Sequence, residues 1–290
     1  MITATIKGSA ELLKVLKKEL SSVYDTREAE NISVILIEYF FEMNKTQILM
    51  DAPFTLFEEE LVDNLNECIE RLLKNEPIQH VLGETEFYGL PFYVNSDVLV
   101  PRPETEELVT WILEDNVNNT GFRLLDIGTG SGCIAISIKK EKKKADVCGL
   151  DLSHDALSVA KDNADLNEVD VYWIQDNILN FTYNIAKPFD VVVSNPPYIT
   201  LEEKKVMHKN VLDYDPDLAL FVYDDDALLF YRHIADYANK HLNTNGVLYF
   251  EINENFGKET VQILEEKGYT DIVLKQDLNG KDRMIKAIKK

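Results

Sequence analysis

The sequence predicts an α/β fold, in which a mainly parallel sheet of seven strands follows a small helical domain. Residues 9–75 contain no glycine and place apolar residues at helical intervals. From residue 121 onward, short apolar segments alternate with amphipathic ones, which is typical of a parallel sheet covered on both faces. Asn279-Gly280 separates the last two apolar segments and predicts a hairpin, so the final strand is expected to be antiparallel. A chain of 290 residues can hold both domains.

The amino-terminal region is predicted to be a bundle of four or five helices. Its apolar residues form stripes with the spacing of one helix face. The stripes comprise Leu12, Leu13, Leu16 and Leu20, then Ile32, Ile35, Leu36, Tyr39 and Phe40, then Leu61, Leu65, Ile69, Leu72 and Leu73. Such stripes indicate a packed core, and periodicity alone assigns no function to them.

A β-hairpin is predicted between the two domains. The segment 86–94 is rich in aromatic and β-branched residues around a Gly89-x-Pro91 turn. The next helix is expected to open at Pro103, because proline suits the first helical turn. Arg102, held extended by the prolines on either side, is either a ligand for a cofactor carboxylate or a solvated linker residue. The predicted boundaries are 1–75 for the helical domain, 76–100 for the hairpin linker and 101–290 for the α/β domain.

A glycine-rich turn follows the first strand of the α/β domain. The segment Leu124–Ile138 is predicted to be strand, turn and helix, with glycines at 128, 130 and 132. Glycines let the backbone approach a ligand, and the helix amino end offers N–H donors. Asp151 ends the next predicted strand, where an acidic residue suits a ribose diol. These features fit NAD and S-adenosylmethionine alike, but the spacing G-x-G-x-G departs from the dinucleotide pattern G-x-G-x-x-G.

Asn195-Pro196-Pro197-Tyr198 directly follows the apolar run Val191–Val193, which is predicted to be a buried strand. Two prolines must end that strand, and ligands bind at the carboxyl ends of strands in open α/β sheets. The Asn195 carboxamide oxygen and the Pro196 carbonyl can both accept hydrogen bonds from a substrate NH₂ group, and the Tyr198 ring can lie against a planar amide or base. The alternative is an ordinary surface turn.

Composition narrows the classes of partner. The net charge is −21, which disfavours general binding to nucleic-acid backbones and favours a basic protein partner or simple solubility. The three cysteines predict neither a disulfide framework nor a metal site. No long apolar stretch and no signal-peptide pattern is present, so a cytoplasmic protein without membrane association is expected.

Five segments together identify a family resemblance. They are Pro77-Ile78-Gln79-His80 with Gly83, Pro101-Arg102-Pro103-Glu104-Thr105-Glu106, Asp126–Gly132, Asn195–Ile199 and Gly280-Lys281-Asp282-Arg283. On these segments the chain resembles the HemK family, also called PrmC, whose members are release factor glutamine N5-methyltransferases. The resemblance covers most of residues 75–290 in order. One departure is Asp215, which precedes Pro216 where the family usually has Glu, and no role is assigned to it.

The resemblance implies a class I, Rossmann-like methyltransferase that uses S-adenosylmethionine. Gly128, Thr129, Gly130, Ser131 and Gly132 would wrap the methionine part of the cofactor. Asp151 would bind the ribose, and Asp176 and Asn177 would flank the adenine. Asn195, Pro196, Pro197 and Tyr198 would hold the glutamine of a Gly-Gly-Gln motif in a release factor, with Asn195 also next to the cofactor. Because the helical unit is separate, is joined by a hairpin and precedes every cofactor motif, residues 1–75 are predicted to recognise the protein substrate. The net charge predicts no direct binding to nucleic acid.

Rival functions belong to other classes. An N-methyltransferase acting on an exocyclic amine of a nucleic-acid base shares the Asn-Pro-Pro-Tyr sequence, but it predicts a basic face. An NAD-dependent oxidoreductase is disfavoured by the glycine spacing, and a noncatalytic binding module by the intact cofactor positions.

Overall fold

The chain folds into two compact units in the computed structural model, which describes residues 2, 6, 8–53, 59–200, 214, 216, 221–222 and 226–290. The smaller unit comprises the described residues up to Leu82 together with Tyr214. The larger unit comprises the other described residues from Gly83 to Lys290. Asp215 lies outside the described residues.

The smaller unit is helical, as the sequence predicts. Its helices are α1 (Ser9–Leu20), α2 (Thr26–Phe41), α3 (Lys45–Leu49), α4 (Glu59–Leu72) and α5 (Ile78–Leu82). Most of the predicted stripes pack into one core, but Ile35 and Tyr39 are exposed at 37% and 43%. The expectation that these two residues lie in the core was therefore wrong. They lie on one face of α2, four positions apart, and that face is turned away from the bundle.

The larger unit contains the predicted α/β domain. Its strands are β1 (Glu84–Phe87), β2 (Leu90–Tyr93), β3 (Arg123–Ile127), β4 (Asp146–Asp151), β5 (Tyr172–Gln175), β6 (Phe189–Ser194), β7 (Ile199–Thr200), β8 (Phe221–Val222), β9 (Leu242–Glu251), β10 (Tyr269–Gln276) and β11 (Asp282–Lys289). Its helices are α6 (Pro103–Asp115), α7 (Cys133–Glu141), α8 (His154–Leu166), α9 (Leu229–His241) and α10 (Gly257–Glu266).

The main sheet has seven strands in the order β10-β11-β9-β6-β3-β4-β5. Neighbouring strands from β9 to β5 are parallel, whereas β11 is antiparallel to both β9 and β10. This arrangement confirms the predicted fold and the antiparallel final strand. Successive buried residues of the central strands point to opposite faces: Leu124 and Val193 belong to one core, and Leu125 and Val192 to the other. Helices therefore cover both faces of the sheet.

The β1–β2 hairpin turns at Tyr88-Gly89, whose φ angles are 54° and 69°. Paired positive φ values suit the two-residue turns that join twisted strands. The Gly89-x-Pro91 turn expected from the sequence was therefore misplaced, because Pro91 lies inside β2 opposite Glu86.

Two asparagines of the α8 region satisfy the outer edge of β2. Asn163 accepts a hydrogen bond from the Tyr93 N–H (2.6 Å) and donates to the Tyr93 carbonyl (3.0 Å). Asn167 donates to the Pro91 carbonyl at 2.8 Å. Side chains thus replace a neighbouring strand along this edge, which would otherwise present unpaired backbone groups.

Within the described part of the chain, no helix is both long enough and apolar enough to cross a membrane.

Gly149 of β4 provides a test of this packing. A Cβ atom there would overlap the Trp173 ring and approach Thr129 Oγ1 to 3.0 Å. We expect Gly149→Ala to lower the free energy of unfolding by about 1–3 kcal/mol, the usual cost of overpacking. Both tryptophans of the chain, Trp111 and Trp173, lie in the larger unit, so urea unfolding followed by tryptophan fluorescence reports on that unit.

Gly121→Ala is the matched control. The nearest atom to its Cβ position is the Lys144 carbonyl oxygen at 4.0 Å, which is ordinary contact. We expect this variant to differ from the wild type by less than about 0.5 kcal/mol. Equal stability of the two variants would contradict the proposed overlap at Gly149.

Candidate functional site

Five parallel strands end at one edge of the sheet, where ligands bind in open α/β folds. Their last residues are Ile127 of β3, Asp151 of β4, Gln175 of β5, Ser194 of β6 and Glu251 of β9. The segments that the sequence singled out follow these strands directly. The fold therefore gathers the glycine turn, Asp151, Asp176-Asn177 and the Asn195–Tyr198 segment along the same edge.

The glycine turn uses its glycines in two different ways. Gly128, Gly130 and Gly132 all have positive φ, at 71°, 52° and 80°. A Cβ atom at Gly128 or Gly130 would meet nothing within 4 Å, whereas one at Gly132 would press against Ile136 and Trp173 at 2.9 and 3.0 Å. Gly132 is thus required for helix–strand packing, while Gly128 and Gly130 leave an open cradle beside the backbone.

The turn is fixed to its surroundings by hydrogen bonds from its backbone. The N–H groups of Gly128 and Thr129 both donate to the Leu150 carbonyl, at 2.8 and 3.0 Å. The Ser131 carbonyl accepts from Asn163 Nδ2 at 2.9 Å. Asn163, which also pairs with Tyr93, therefore connects the turn to the hairpin.

Asp126, the last residue but one of β3, is a completely buried carboxyl group beneath the turn. Its Oδ2 accepts a 2.6 Å hydrogen bond from the Thr129 hydroxyl, and its Oδ1 has no hydrogen-bond partner among the described residues. Burial raises the pKa of Asp126 to about 7. The sequence placed Asp126 in the glycine motif without a role. Its position at the end of an apolar strand was the signal that a buried carboxyl group lies there.

Asp151 is held in a fixed orientation next to the glycine turn. Its Oδ2 accepts from the Gly130 N–H and its Oδ1 from the Ser153 N–H, both at 2.9 Å. Burial raises the pKa of Asp151, and these backbone hydrogen bonds oppose the rise. Each carboxylate oxygen retains a further lone pair for a second donor, such as a hydroxyl group.

Asp176 and Asn177 follow β5, and the Asp176 N–H donates to the Asp151 carbonyl at 3.1 Å. The Asp176 carboxylate, however, holds its own loop: Oδ2 accepts from the Thr182 and Tyr183 N–H groups at 2.9 and 2.6 Å. Although burial acts in the opposite direction, these hydrogen bonds keep the pKa of Asp176 below its ordinary value. The Asn177 side chain caps the short 3₁₀ turn that follows.

Asn195 extends from the end of β6 into a buried polar network. Its Nδ2 donates to Thr105 Oγ1 at 3.3 Å, and the Thr105 hydroxyl donates to Glu251 Oε2 at 2.6 Å. The Tyr198 hydroxyl donates to the other carboxylate oxygen of Glu251, Oε1, at 3.2 Å. Asn253 Nδ2 donates to the Tyr198 carbonyl at 3.1 Å, which anchors the end of the segment. Pro196 is buried between these ends, and Pro197 is half-buried.

Glu251 was not predicted from the sequence, and Thr105 was quoted only as part of a motif. Both are almost fully buried, at 2% and 3% exposure. Burial raises the pKa of Glu251, whereas the Thr105 hydroxyl and the positive charge of Arg283 favour the carboxylate. The sequence signal for Glu251 was a carboxylate at the end of the apolar run Leu248-Tyr249-Phe250.

Arg102 and Arg283 influence this network through their positive charges. Burial raises the pKa of Tyr198, the charge of Glu251 adds to the rise, and Arg283 and Arg102 oppose it. The Arg283 guanidinium is fixed by Asp277, whose Oδ2 lies 3.1 Å from Arg283 Nε. The described residues contain no group of three or more His, Cys, Asp or Glu side chains that could hold a metal ion.

Comparisons with known protein families match two separate domains along this chain. The PrmC N-terminal domain matches residues 11–83, and the methyltransferase small domain matches residues 106–213. The release factor glutamine methyltransferase of Flavobacterium psychrophilum is 48% identical over 271 residues, which cover 92% of this chain and 94% of that protein. The protein of the same name from Bacteroides thetaiotaomicron is 39% identical and covers 94% and 97%.

Solved structures support the fold alone. A methyltransferase from Pyrococcus furiosus superposes with a TM-score of 0.52 at 18% identity, covering 76% of this chain and 96% of that one. A 16S rRNA N2 G1207 methyltransferase from Thermus thermophilus, solved with AdoMet and guanosine, has a TM-score of 0.53 at 16% identity and covers 71% and 50%.

The buried Asp126 predicts an unusual pH dependence of stability. Its pKa rises from 3.8 to about 7 on folding, so the folded protein keeps a proton that the unfolded chain has lost. The contribution of this carboxyl group to stability therefore falls as pH rises through that range, by at most about 1.4 kcal/mol per pH unit. Asp126→Asn mimics the protonated form, and we expect its melting temperature to rise relative to the wild type between about pH 4 and about pH 7.

Differential scanning calorimetry of both proteins at several pH values measures this difference. Asp170→Asn, at an exposed position, is the control. The difference between its melting temperature and that of the wild type should stay constant across the pH range. A constant difference between Asp126→Asn and the wild type across the range would show that the Asp126 carboxyl group does not titrate as its burial requires.

Proposed function

The chain belongs to the release factor glutamine methyltransferase family, and on this premise we propose that it methylates the side-chain amide nitrogen, N5, of the glutamine in a Gly-Gly-Gln motif. The substrate would be a peptide chain release factor. The observation that best supports this proposal is the orientation of Asn195. Its carboxamide NH₂ is bound to Thr105, and its Oδ1 accepts no hydrogen bond from the described residues. An acceptor oxygen at the end of β6 is what a substrate amide NH₂ requires.

The glycine turn and its neighbours fit S-adenosylmethionine, the methyl donor of this family. The cradle beside Gly128 and Gly130 admits a ligand against the backbone. When bound, the cofactor supplies a methyl group that is activated by a sulfonium. The turn from Gly128 to Gly132 would hold its methionine part, Asp151 its ribose hydroxyls, and Asp176 and Asn177 its adenine.

The protein's own residues would orient the substrate and increase the reactivity of its amide nitrogen. An amide nitrogen is a poor nucleophile because its lone pair is delocalised into the carbonyl. Asn195 Oδ1 and the Pro196 carbonyl would accept from the two N–H groups and draw electron density toward the nitrogen. Because Pro196 and Pro197 restrict the backbone, the direction of this carbonyl is fixed. Such positioning can lower the barrier by about 7–11 kcal/mol.

The Tyr198 ring would supply a flat surface for the substrate amide. Its hydroxyl is held by Glu251 and its carbonyl by Asn253, so the side chain is fixed before substrate arrives. The methylated nitrogen can lose its proton to water, and no histidine is needed as a base.

Recognition of the release factor is assigned to residues 1–75, with residues 76–100 as a linker and 101–290 as the catalytic domain. These boundaries remain predictions. The net charge of −21 suits a basic protein surface better than a nucleic acid, and a substrate that acts in translation suits a cytoplasmic location.

Asn195→Ala tests the site. We expect the single-turnover rate of methyl transfer to a release factor to fall by about 10²–10³, the usual cost of losing one preorganised hydrogen bond to the reacting group. The affinity for S-adenosylmethionine should change little, because the lost oxygen acts mainly on the substrate. The measurement uses labelled cofactor, with mass spectrometry of the Gly-Gly-Gln peptide.

Three observations would contradict the proposal. A normal rate in Asn195→Ala would show that Asn195 does not bind the substrate amide. Label on a release factor whose motif glutamine is replaced would refute the position of methylation. Label that appears only in RNA or DNA, supplied in parallel, would favour the nucleic-acid methyltransferase instead.

Asp151→Ala tests the cofactor assignment. Loss of the carboxylate should weaken binding of S-adenosylhomocysteine by about 2–4 kcal/mol, since hydrogen bonds to charged groups contribute about 1.5–3 kcal/mol each. Isothermal titration calorimetry measures the affinity, and the exposed Asp155→Ala on α8 is the control. NAD should not bind to the wild type. Unchanged affinity in Asp151→Ala would show that the ribose lies elsewhere.

A further inference from the structure

Three side chains that are distant in sequence form one continuous chain of hydrogen bonds. Glu251 ends β9, Thr105 lies in the first turn of α6, and Asn195 follows β6. The bonds run from Asn195 Nδ2 to Thr105 Oγ1 (3.3 Å) and from the Thr105 hydroxyl to Glu251 Oε2 (2.6 Å). Because the Thr105 and Glu251 side chains are buried, water does not compete for these bonds.

The Glu251 carboxyl group sets the donor-to-acceptor direction of these hydrogen bonds. The Thr105 hydroxyl has a single proton, and it donates that proton to Glu251 Oε2. The Thr105 oxygen is then left as an acceptor, and only the NH₂ end of the Asn195 carboxamide can satisfy it. The Tyr198 hydroxyl donates to the second oxygen of Glu251, so both oxygens have a donor and the ionised form is stabilised.

We propose that Thr105 and Glu251 are positioning residues that turn the Asn195 carboxamide so that its oxygen faces the substrate amide. This inference rests on the proposed function, because it assigns Asn195 to the substrate. The same series of hydrogen bonds also polarises the Asn195 carboxamide. A hydroxyl that donates to a carboxylate accepts more strongly, and a carboxamide whose NH₂ is bound in this way has a more basic oxygen. Glu251 thus acts on the substrate through two intervening side chains and does not touch it.

Substitutions at Thr105 separate this role from packing. Thr105→Val keeps the shape of the side chain and removes its hydroxyl, while Thr105→Ser keeps the hydroxyl and removes a methyl group. We expect Thr105→Val to lower the single-turnover rate about 10- to 100-fold, the range that matches loss of a hydrogen bond to a charged group. Thr105→Ser should stay within about threefold of the wild type, and cofactor affinity should be unchanged in both.

Thr110→Val is the matched control on the same helix. The Thr110 hydroxyl donates to the Glu106 carbonyl at 2.9 Å and lies outside the network. This variant should retain the wild-type rate. Equal rates in Thr105→Val and Thr110→Val, or equal loss in Thr105→Val and Thr105→Ser, would overturn the inference, since either result would leave the hydroxyl without an effect on the rate.

A double-mutant cycle tests whether Thr105 acts through Asn195. If it does, adding Thr105→Val to Asn195→Ala should cost much less than the same change in the wild type. Full additivity would overturn the inference, because Thr105 would then act independently of Asn195.

A substrate-free measurement separates this inference from the proposed function. In amide NMR spectra, the Asn195 side-chain signal is assigned by its absence in Asn195→Ala. In both Thr105→Val and Glu251→Gln it should shift and exchange faster with water, whereas in Thr110→Val it should not change. An unaltered signal in Thr105→Val would overturn the hydrogen-bond chain. Failure of the wild type to methylate a release factor would refute the proposed function and leave this result standing.

Discussion

Two buried carboxyl groups organise the edge of the sheet on which the site is built. Asp126 lies at the end of β3 and Glu251 at the end of β9, with exposures of 0% and 2%. Burying such groups is costly unless they receive hydrogen bonds. Each receives one at 2.6 Å from a threonine hydroxyl: Thr129 for Asp126 and Thr105 for Glu251.

These two pairs lie on either side of β6, because the strand order is β9-β6-β3. The Asp126 pair supports the glycine turn and therefore the cofactor side of the proposed site. The Glu251 pair supports Asn195 and Tyr198 and therefore the substrate side. Asn195 leaves the sheet from the strand between them, so the position proposed for methyl transfer follows directly from the strand order.

The helices and strands were predicted well because apolar periodicity and turn residues are local features of the sequence. A sheet of seven strands was expected, and its parallel core with an antiparallel last strand is confirmed. Strand β9 begins at Leu242 and continues through Asn245-Gly246. Asn245-Gly246 is typical of a turn, but here Asn245 has a φ of 62° within the strand, and the pairing with β6 shifts register between Phe189 and Val191. Pairing with a neighbouring strand overrode the local preference.

The residues that end or follow the strands at the site edge can be identified from the amino-acid sequence. Asp151 ends a predicted strand, and the glycines and the Asn195–Tyr198 segment each directly follow one. The end of a strand depends on its immediate neighbours. The contacts between their side chains depend instead on long-range packing. Thr105 and Glu251 are separated by 146 positions, and their contact depends on how α6 packs against β9. Helical or strand periodicity indicates which face of an element is buried, but it does not specify the partner that the buried face meets.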